Sequence, residues 1–288
     1  MATHEIRLLP LIDVLVESSF LVLARNMGTP VWVHTWGILI LGNPAGPILV
    51  DTGASEPGIM GRLGMQGRVD VDMQLENALG AHGVKIRDVA AVLHTHCHID
   101  HAGQDDRFPM STPVVMNRRE LEHSVSGLMG AQYPPEYVKH HVDRLHSPGA
   151  LRLLDLELSG PDEIYDGIVC EAAGGHTEGS MNVLVETAEG RACICGDVIY
   201  DLHNQVVDPW HQTQAFEPQT TGNHTLRKRE EKAAIKKALN RDFVLPLHDF
   251  PGRVEGGRVV ARLKHEVPGP EFDVAEFAAE VAAPVAAV

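Results

Sequence analysis

The sequence predicts an α/β fold of one domain spanning residues 1–288, with two β-sheets lying between helical layers. Three observations carry this reading. Strand-like runs open the chain, helical spacing dominates its middle, and strands followed by a helix return after Leu151. No stretch rich in Pro, Gly or Ser divides the halves. A hydrophobic content of 44% over 288 residues is enough to build a substantial core.

The opening stretch, MATHEIRLLPLIDVLVESSF, carries Asp13 and Glu17 inside its apolar run and lacks a basic start, so it does not read as a signal peptide. Val31–Leu41 is rich in β-branched and aromatic residues. The turn signal NPAGP leads from it to Ile48–Gly53, and the pair reads as a hairpin. Val71, Leu75, Ala78 and Leu79 fall at helical spacing, with Gly83 as the stop. Val89–Leu93 is a short buried strand. Helices are expected over Asn117–Val125 and Pro135–Leu145, where Pro135 suits a first turn. The runs LRLLDLEL, GIVCEAA, MNVLVET and ACICGDV then read as strands. Leu226–Leu239 reads as a long helix with Leu226, Ile235, Ala238 and Leu239 on its apolar side and a solvated charged face. Phe243–Phe250 contains a last short strand. The tail over residues 274–288 is low in complexity and is expected to fray or to serve as a dimer contact.

The net charge of −15 disfavours a nucleic-acid partner and an anionic membrane surface, both of which call for basic protein surface. Nothing in the sequence approaches a transmembrane span. Cys97, Cys170, Cys193 and Cys195 suggest no disulfide framework. Cys193 and Cys195 alternate in a strand and share a face, which suits a reducing cytoplasm.

The stretch HTHCHIDH, His94 to His101, packs four imidazoles and a carboxylate into eight residues. Buried ring nitrogens need partners, and a metal ion is the obvious one. In an extended segment His96 and His98 share a face and suit one ion, while Asp100 and His101 turn toward a second. Imidazole with carboxylate suits zinc, manganese, iron or cobalt. Further candidates stand at strand ends: His176 in GGHTEGS, Asp197 in CGDV and His248 in PLHD. His94 suits a structural role, Cys97 is a spacer pointing away from the ions, and Asp51 orients a ligand imidazole. His82, His123, His140, His141, His146, His203, His211 and His224 belong to no motif and read as surface or core residues.

The order VDTG, HCHIDHAG, GGHTEGS, CGDV and PLHD, from Asp51 to Asp249, resembles the metallo-β-lactamase superfamily. The resemblance implies a four-layer αββα sandwich of two mixed sheets flanked by helices. It also implies a site for two divalent ions, expected to be Zn2+, with Mn2+, Fe2+ or Co2+ as other occupants. By motif position His96, His98 and His176 hold one ion, Asp100, His101 and His248 hold the other, and Asp197 bridges them together with a hydroxide. A dimer is likewise an implication of the resemblance alone.

Two adjacent cations lower the pKa of a shared water and polarise a carbonyl, so the expected chemistry is hydrolysis. Tyr200 lies three residues after Asp197 and resembles the tyrosine of the N-acyl homoserine lactonases, where the phenol reaches toward the substrate carbonyl. Asp100 and Tyr200 are therefore the expected catalytic residues, and a small lactone or ester the expected substrate. A thioesterase of the glyoxalase II kind shares the ligand set but would be expected to present a basic cluster. A secreted β-lactamase and a nuclease fit the N-terminus and the charge poorly. A flavodiiron oxidoreductase would carry a carboxylate where His98 stands. A non-catalytic metal-binding scaffold is the reading from outside enzymology.

Overall fold

The computed structural model describes residues 2–209, 217–222 and 227–263. The first half of the chain contains β1 (Glu5–Glu17), the one-turn helix α1 (Ser18–Leu21), β2 (Pro30–Leu41), β3 (Ile48–Val50), β4 (Gln66–Arg68), α2 (Leu75–Gly80), β5 (Ala91–Leu93), β6 (Val114–Asn117), α3 (Arg118–Val125), α4 (Pro135–Leu145) and β7 (Leu151–Leu154). The second contains the short α5 (Leu156–Ser159), β8 (Asp162–Tyr165), β9 (Ile168–Ala172), β10 (Met181–Thr187), β11 (Gly190–Gly196), α6 (Lys228–Ala238), β12 (Phe243–Pro246), β13 (Gly252–Glu255) and β14 (Arg258–Arg262).

The strands form two seven-stranded sheets, ordered β4-β1-β2-β3-β5-β6-β7 and β14-β13-β12-β11-β10-β9-β8. Both are mixed. In the first, β3, β5, β6 and β7 run parallel while β1, β2 and β4 are antiparallel; in the second, only β11 and β12 are parallel. The expected hairpin of β2 and β3 is present, pairing Ile38 with Val50.

Each sheet is buried on both faces, and the period of two in the sequence produces this. Ile38 and Ile40 of the first sheet and Val183 and Ile194 of the second share the core between the sheets. Leu39 and Leu49 turn the other way, onto Leu75 and Leu79 of α2. Cys193 and Cys195 share a face, as expected, and pack with Val244 against Ala234, Ile235 and Ala238 of α6. Helix, sheet, sheet and helix thus stack as four layers. All four cysteines are free and buried.

The structure departs from expectation at several elements. Val71 is 71% exposed and sits in a separate 3-10 turn, because the extended residue Gln74 interrupts the chain before α2 begins. LRLLDLEL is a strand only to Leu154. Asp155 leaves the extended conformation and its carbonyl caps the single turn α5, leaving Leu158 exposed. Strands β1, β4, β6, β8, β13 and β14 were not expected. The last long helix is observed over Lys228–Ala238, with Ile235 and Ala238 buried as expected; Leu226, His211, His224 and the tail over 274–288 lie outside the described residues. Among the described residues no helix is long and apolar enough to cross a membrane.

Ile194 is fully buried between the sheets. Ile194→Ala should cost about 2–5 kcal/mol in urea unfolding, whereas Leu158→Ala, on the surface, should change stability by no more than about 0.5 kcal/mol. Equal effects would contradict the layer assignment.

Candidate metal centre

The parallel strand pairs explain why distant histidines meet. β3 and β5 are parallel neighbours in one sheet and β11 and β12 in the other, so each pair delivers its following loops to one edge. Asp51 directly follows β3, the His94–His101 stretch follows β5, Asp197 follows β11 and His248 follows β12. His176 comes from the loop between β9 and β10.

The seven residues expected as ligands converge. His96, His98, His176 and Asp197 bring ligand atoms within 4.8 Å of one another, as do Asp100, His101 and His248. The Asp197 carboxylate divides between the two groups. Its Oδ2 lies 3.7 Å from His96 Nε2 and 3.5 Å from His176 Nε2. Its Oδ1 lies 3.2 Å from both His101 Nε2 and His248 Nε2. His98 presents Nδ1, 3.0 Å from His176 Nε2. Asp100 is 3.6 Å from both His101 Nε2 and His248 Nε2.

Hydrogen bonds behind the cluster choose the tautomers. His248 Nδ1 lies 2.8 Å from the His34 carbonyl, which can only accept, so Nδ1 carries the proton and Nε2 offers its lone pair. Asp51 accepts from His101 Nδ1 at 3.0 Å, which likewise frees His101 Nε2. Thr95 donates its hydroxyl to Asp51 and accepts from His96 Nδ1 at 3.2 Å, freeing His96 Nε2. Asp51 was expected to orient one imidazole. It also binds the Thr95 amide and His94 Nδ1, in a left-handed conformation (φ 59°) that asparagine and aspartate tolerate best. Thr35, which donates to Asp100 at 3.2 Å, and the His34 carbonyl carried no sequence signal, since both belong to an ordinary-looking strand.

Electrostatics separate the two groups. Burial pushes His96 and His98 well below the usual imidazole range and His176 down to about 4, so these rings are neutral and fit for ligation. Burial also opposes charge on His101 and His248, but Asp197 and Asp100 outweigh it and pull both upward. That half of the site attracts positive charge. His94 stands apart, as expected. Its two nitrogens face Asp51 and Asp105 at 3.2 and 2.8 Å, and despite burial these carboxylates push its pKa up to about 10. His141 joins it on Asp105 at 2.8 Å, so this second buried His–Asp–His group is satisfied internally. Cys97 packs by Met116, in the cluster beneath α2, as a spacer should.

The cluster suits metal ions on its own geometry. Bonds of about 2.0–2.1 Å at tetrahedral angles place ligand atoms about 3.3 Å apart. The spacings of 3.0–3.7 Å match, and His96 Nε2, His101 Nε2 and Asp197 Oδ1 are buried without a hydrogen-bond partner. The metallo-beta-lactamase superfamily matches over residues 31–248, well over half the chain and all seven converging residues. The chain belongs to the metallo-beta-lactamase superfamily. Within it, an N-acyl homoserine lactonase from a Bacillus species is 29% identical over 198 residues, covering 65% of this chain and 71% of the relative. The structure of B. thuringiensis AiiA with N-decanoyl-L-homoserine bound at its active site aligns at 20% identity, TM-score 0.64, over 82% of this chain and 88% of that one. AidC, a dizinc quorum-quenching lactonase bound to its product N-hexanoyl-L-homoserine, aligns at 16% identity, TM-score 0.61, over 94% and 96%. At those identities the two structures show a shared superfamily fold.

Asp51→Ala would leave His94 Nδ1, His101 Nδ1 and the Thr95 amide unpartnered in the interior. A loss on the order of 3–5 kcal/mol in denaturant unfolding is expected; a change within experimental error would mean that these groups find other partners.

Proposed function

We propose that this superfamily member is a metal-dependent hydrolase that opens lactones, above all N-acyl homoserine lactones, at a two-ion centre. The observation that carries the reading is a half-open pocket shared by the centre and an apolar wall. His98, Asp197, His248 and Tyr200 form its reacting end, and Val14, Val16, Phe20, Met60, Leu63 and Met65 line the rest. That lining matches the chemistry of a substrate with a hydrolysable carbonyl and an apolar tail.

In this reading His96, His98 and His176 hold one ion, Asp100, His101 and His248 the other, and Asp197 serves both. Two divalent ions, zinc foremost and manganese, iron or cobalt otherwise, supply an activated water and a polarised carbonyl when bound. The chain's own groups do the rest. The apolar wall seats the acyl chain and excludes bulk water. Asp100, anchored by Thr35, fixes its face of the centre. The Tyr200 ring stacks on His248 with centroids 4.9 Å apart and planes 8° from parallel, and it is buried beside His176. From there its phenol donates to the carbonyl oxygen as charge develops; when the oxygen of the attacking water has bonded to the acyl carbon and the ring C–O bond breaks, the phenol gives its proton to the ring oxygen and recovers one from the new carboxylic acid, leaving a hydroxy carboxylate. A thioesterase acting on an anionic conjugate would want cations here, and among the described residues lining the pocket none is Lys or Arg.

Purified protein should contain about two ions per chain. Asp197→Ala should deplete them far more than Cys195→Ala, whose thiol lies against α6; the reverse order would overturn the ligand assignment. Metal-replete enzyme should turn over N-acyl homoserine lactones and not glutathione thioesters, and the opposite preference would replace the lactonase reading with the thioesterase one. Tyr200→Phe should keep its metal while kcat on the best lactone falls roughly tenfold to a hundredfold. An unchanged kcat removes Tyr200 from the mechanism.

A further inference from the structure

Glu120 is a carboxylate in the first turn of α3, 1% exposed, and no part of the chemistry above uses it. Its Oε1 accepts from the backbone amide of Cys97 at 2.8 Å and from the Tyr133 hydroxyl at 2.8 Å. Its Oε2 accepts from the Thr177 hydroxyl at 2.5 Å. Cys97 lies between His96 and His98, and Thr177 follows His176. One buried side chain therefore ties together the two loops that carry the three-histidine half of the centre.

The surroundings make this clamp stiff. Thr177, having given its proton to Glu120, accepts from Ser180 at 2.7 Å, and Ser180 in turn accepts the Thr177 amide at 2.9 Å. Gly179 presses on α3 so closely that a Cβ there would lie 2.0 Å from the Glu120 nitrogen. Asn117, which caps α3, donates to the Gly179 carbonyl at 3.2 Å. Tyr133, held by Glu120, sets its ring against His98 with centroids 4.9 Å apart. In contrast, His101 and His248 are oriented by Asp51 and the His34 carbonyl, and Glu120 makes no hydrogen bond to either support.

We propose that Glu120 is the positioning residue of the His96–His98–His176 half-site, setting the distance between its two loops and thereby its affinity for an ion, independently of the Asp100–His101–His248 half. This rests on the two-ion reading above. A carboxylate suits the task because it accepts from three donors at once. Glutamine in its place keeps the shape but turns an amide donor toward Thr177, whose hydroxyl must then reverse to accept, so a charge-assisted bond becomes a neutral one and the link between the loops weakens.

The test is cobalt titration of the metal-stripped full-length protein, followed by visible absorption, with thermal unfolding of the stripped protein alongside. The unaltered chain should take up two ions. Glu120→Gln should bind one ion about 10–100-fold more weakly, the scale typical for groups that orient ligands, with the other affinity unchanged. Thr177→Val approaches the same link from the other loop and should weaken the same ion. The double variant should be no worse than the more severe single change, since both remove one interaction. The ion that Glu120→Gln retains should disappear when His248→Ala is added. Two unchanged affinities would overturn the proposal. So would equal weakening of both ions together with a lowered melting temperature, which would mark Glu120 as ordinary packing. If the unaltered chain takes up fewer than two ions, the two-ion reading fails first and this inference with it.

Discussion

Five imidazoles and two carboxylates share one buried volume, and Asp197 is the group that makes this tolerable. Buried charges are stable only when paired. Burial drives the Asp197 carboxyl upward, but His101 and His248 outweigh it and hold it well below the usual carboxylate range. The anion in turn determines where positive charge belongs. One oxygen faces His96 and His176, the other His101, and both lie near His248. Everything else in the fold serves to bring side chains from both sheets to that carboxylate. A doubly layered sheet structure with parallel strands at its middle does so, because strand ends from both sheets open at a common edge.

Around that anion lies a second ring of carboxylates, and their division of labour organises the site. Asp51 works on rings, fixing His101 directly and His96 through Thr95. Glu120 works on backbone, holding Cys97 and the Thr177 loop in place. Asp105 works in the layer behind, where His94 and His141 meet. Each accepts several donors, so each costs little as a buried charge, and each restricts a different degree of freedom. The left-handed backbone of Asp51 costs about 1 kcal/mol or more, a strain sustained by the four donors it satisfies.

Much of this was legible in the sequence because its signals are local. HTHCHIDH is dense, and GGHTEGS, CGDV and PLHD follow apolar runs, so convergence at strand ends could be inferred. The VDTG motif pointed to Asp51 for the same reason. Glu120 was illegible: it sits among Arg118, Arg119 and Glu122 in what reads as a solvated helix, and only the approach of a distant glycine loop buries it. Short edge strands such as β4 and β8 exist because a neighbour offers hydrogen bonds, a fact no local pattern carries. Val71 misled through periodicity, since an apolar residue at the right spacing need not be in the helix.

The first strand shows best how packing adds information that alternation lacks. In EIRLLPLIDVLVE the positions from Leu8 to Ile12 are apolar without a break, so neither face stands out there. The pairing with β2 slips by one residue between Pro10 and Ile12. Before the slip Ile6 and Leu8 face the core between the sheets, opposite Ile40 and Ile38. After it Ile12, Val14 and Val16 pair with Thr35, Val33 and Val31 and join the cluster containing Tyr200 and Met60. A shift of one residue sends side chains to the opposite face, and bulges commonly re-aim a strand beside a site in this way. Leu11, the inserted residue, fits because Gly37, the partner of Leu9, leaves room for it; a Cβ there would stand 2.7 Å from the Leu11 side chain. One strand thereby fills the core with its first half and walls the pocket with its second. In β2 opposite, Thr35 and Trp36 are consecutive, so plain alternation turns Thr35 toward Asp100 and His248 and leaves Trp36 on the inner core. The apolar wall thus follows from the bulge in β1, and the support of the centre from the unbroken alternation of β2 beside it.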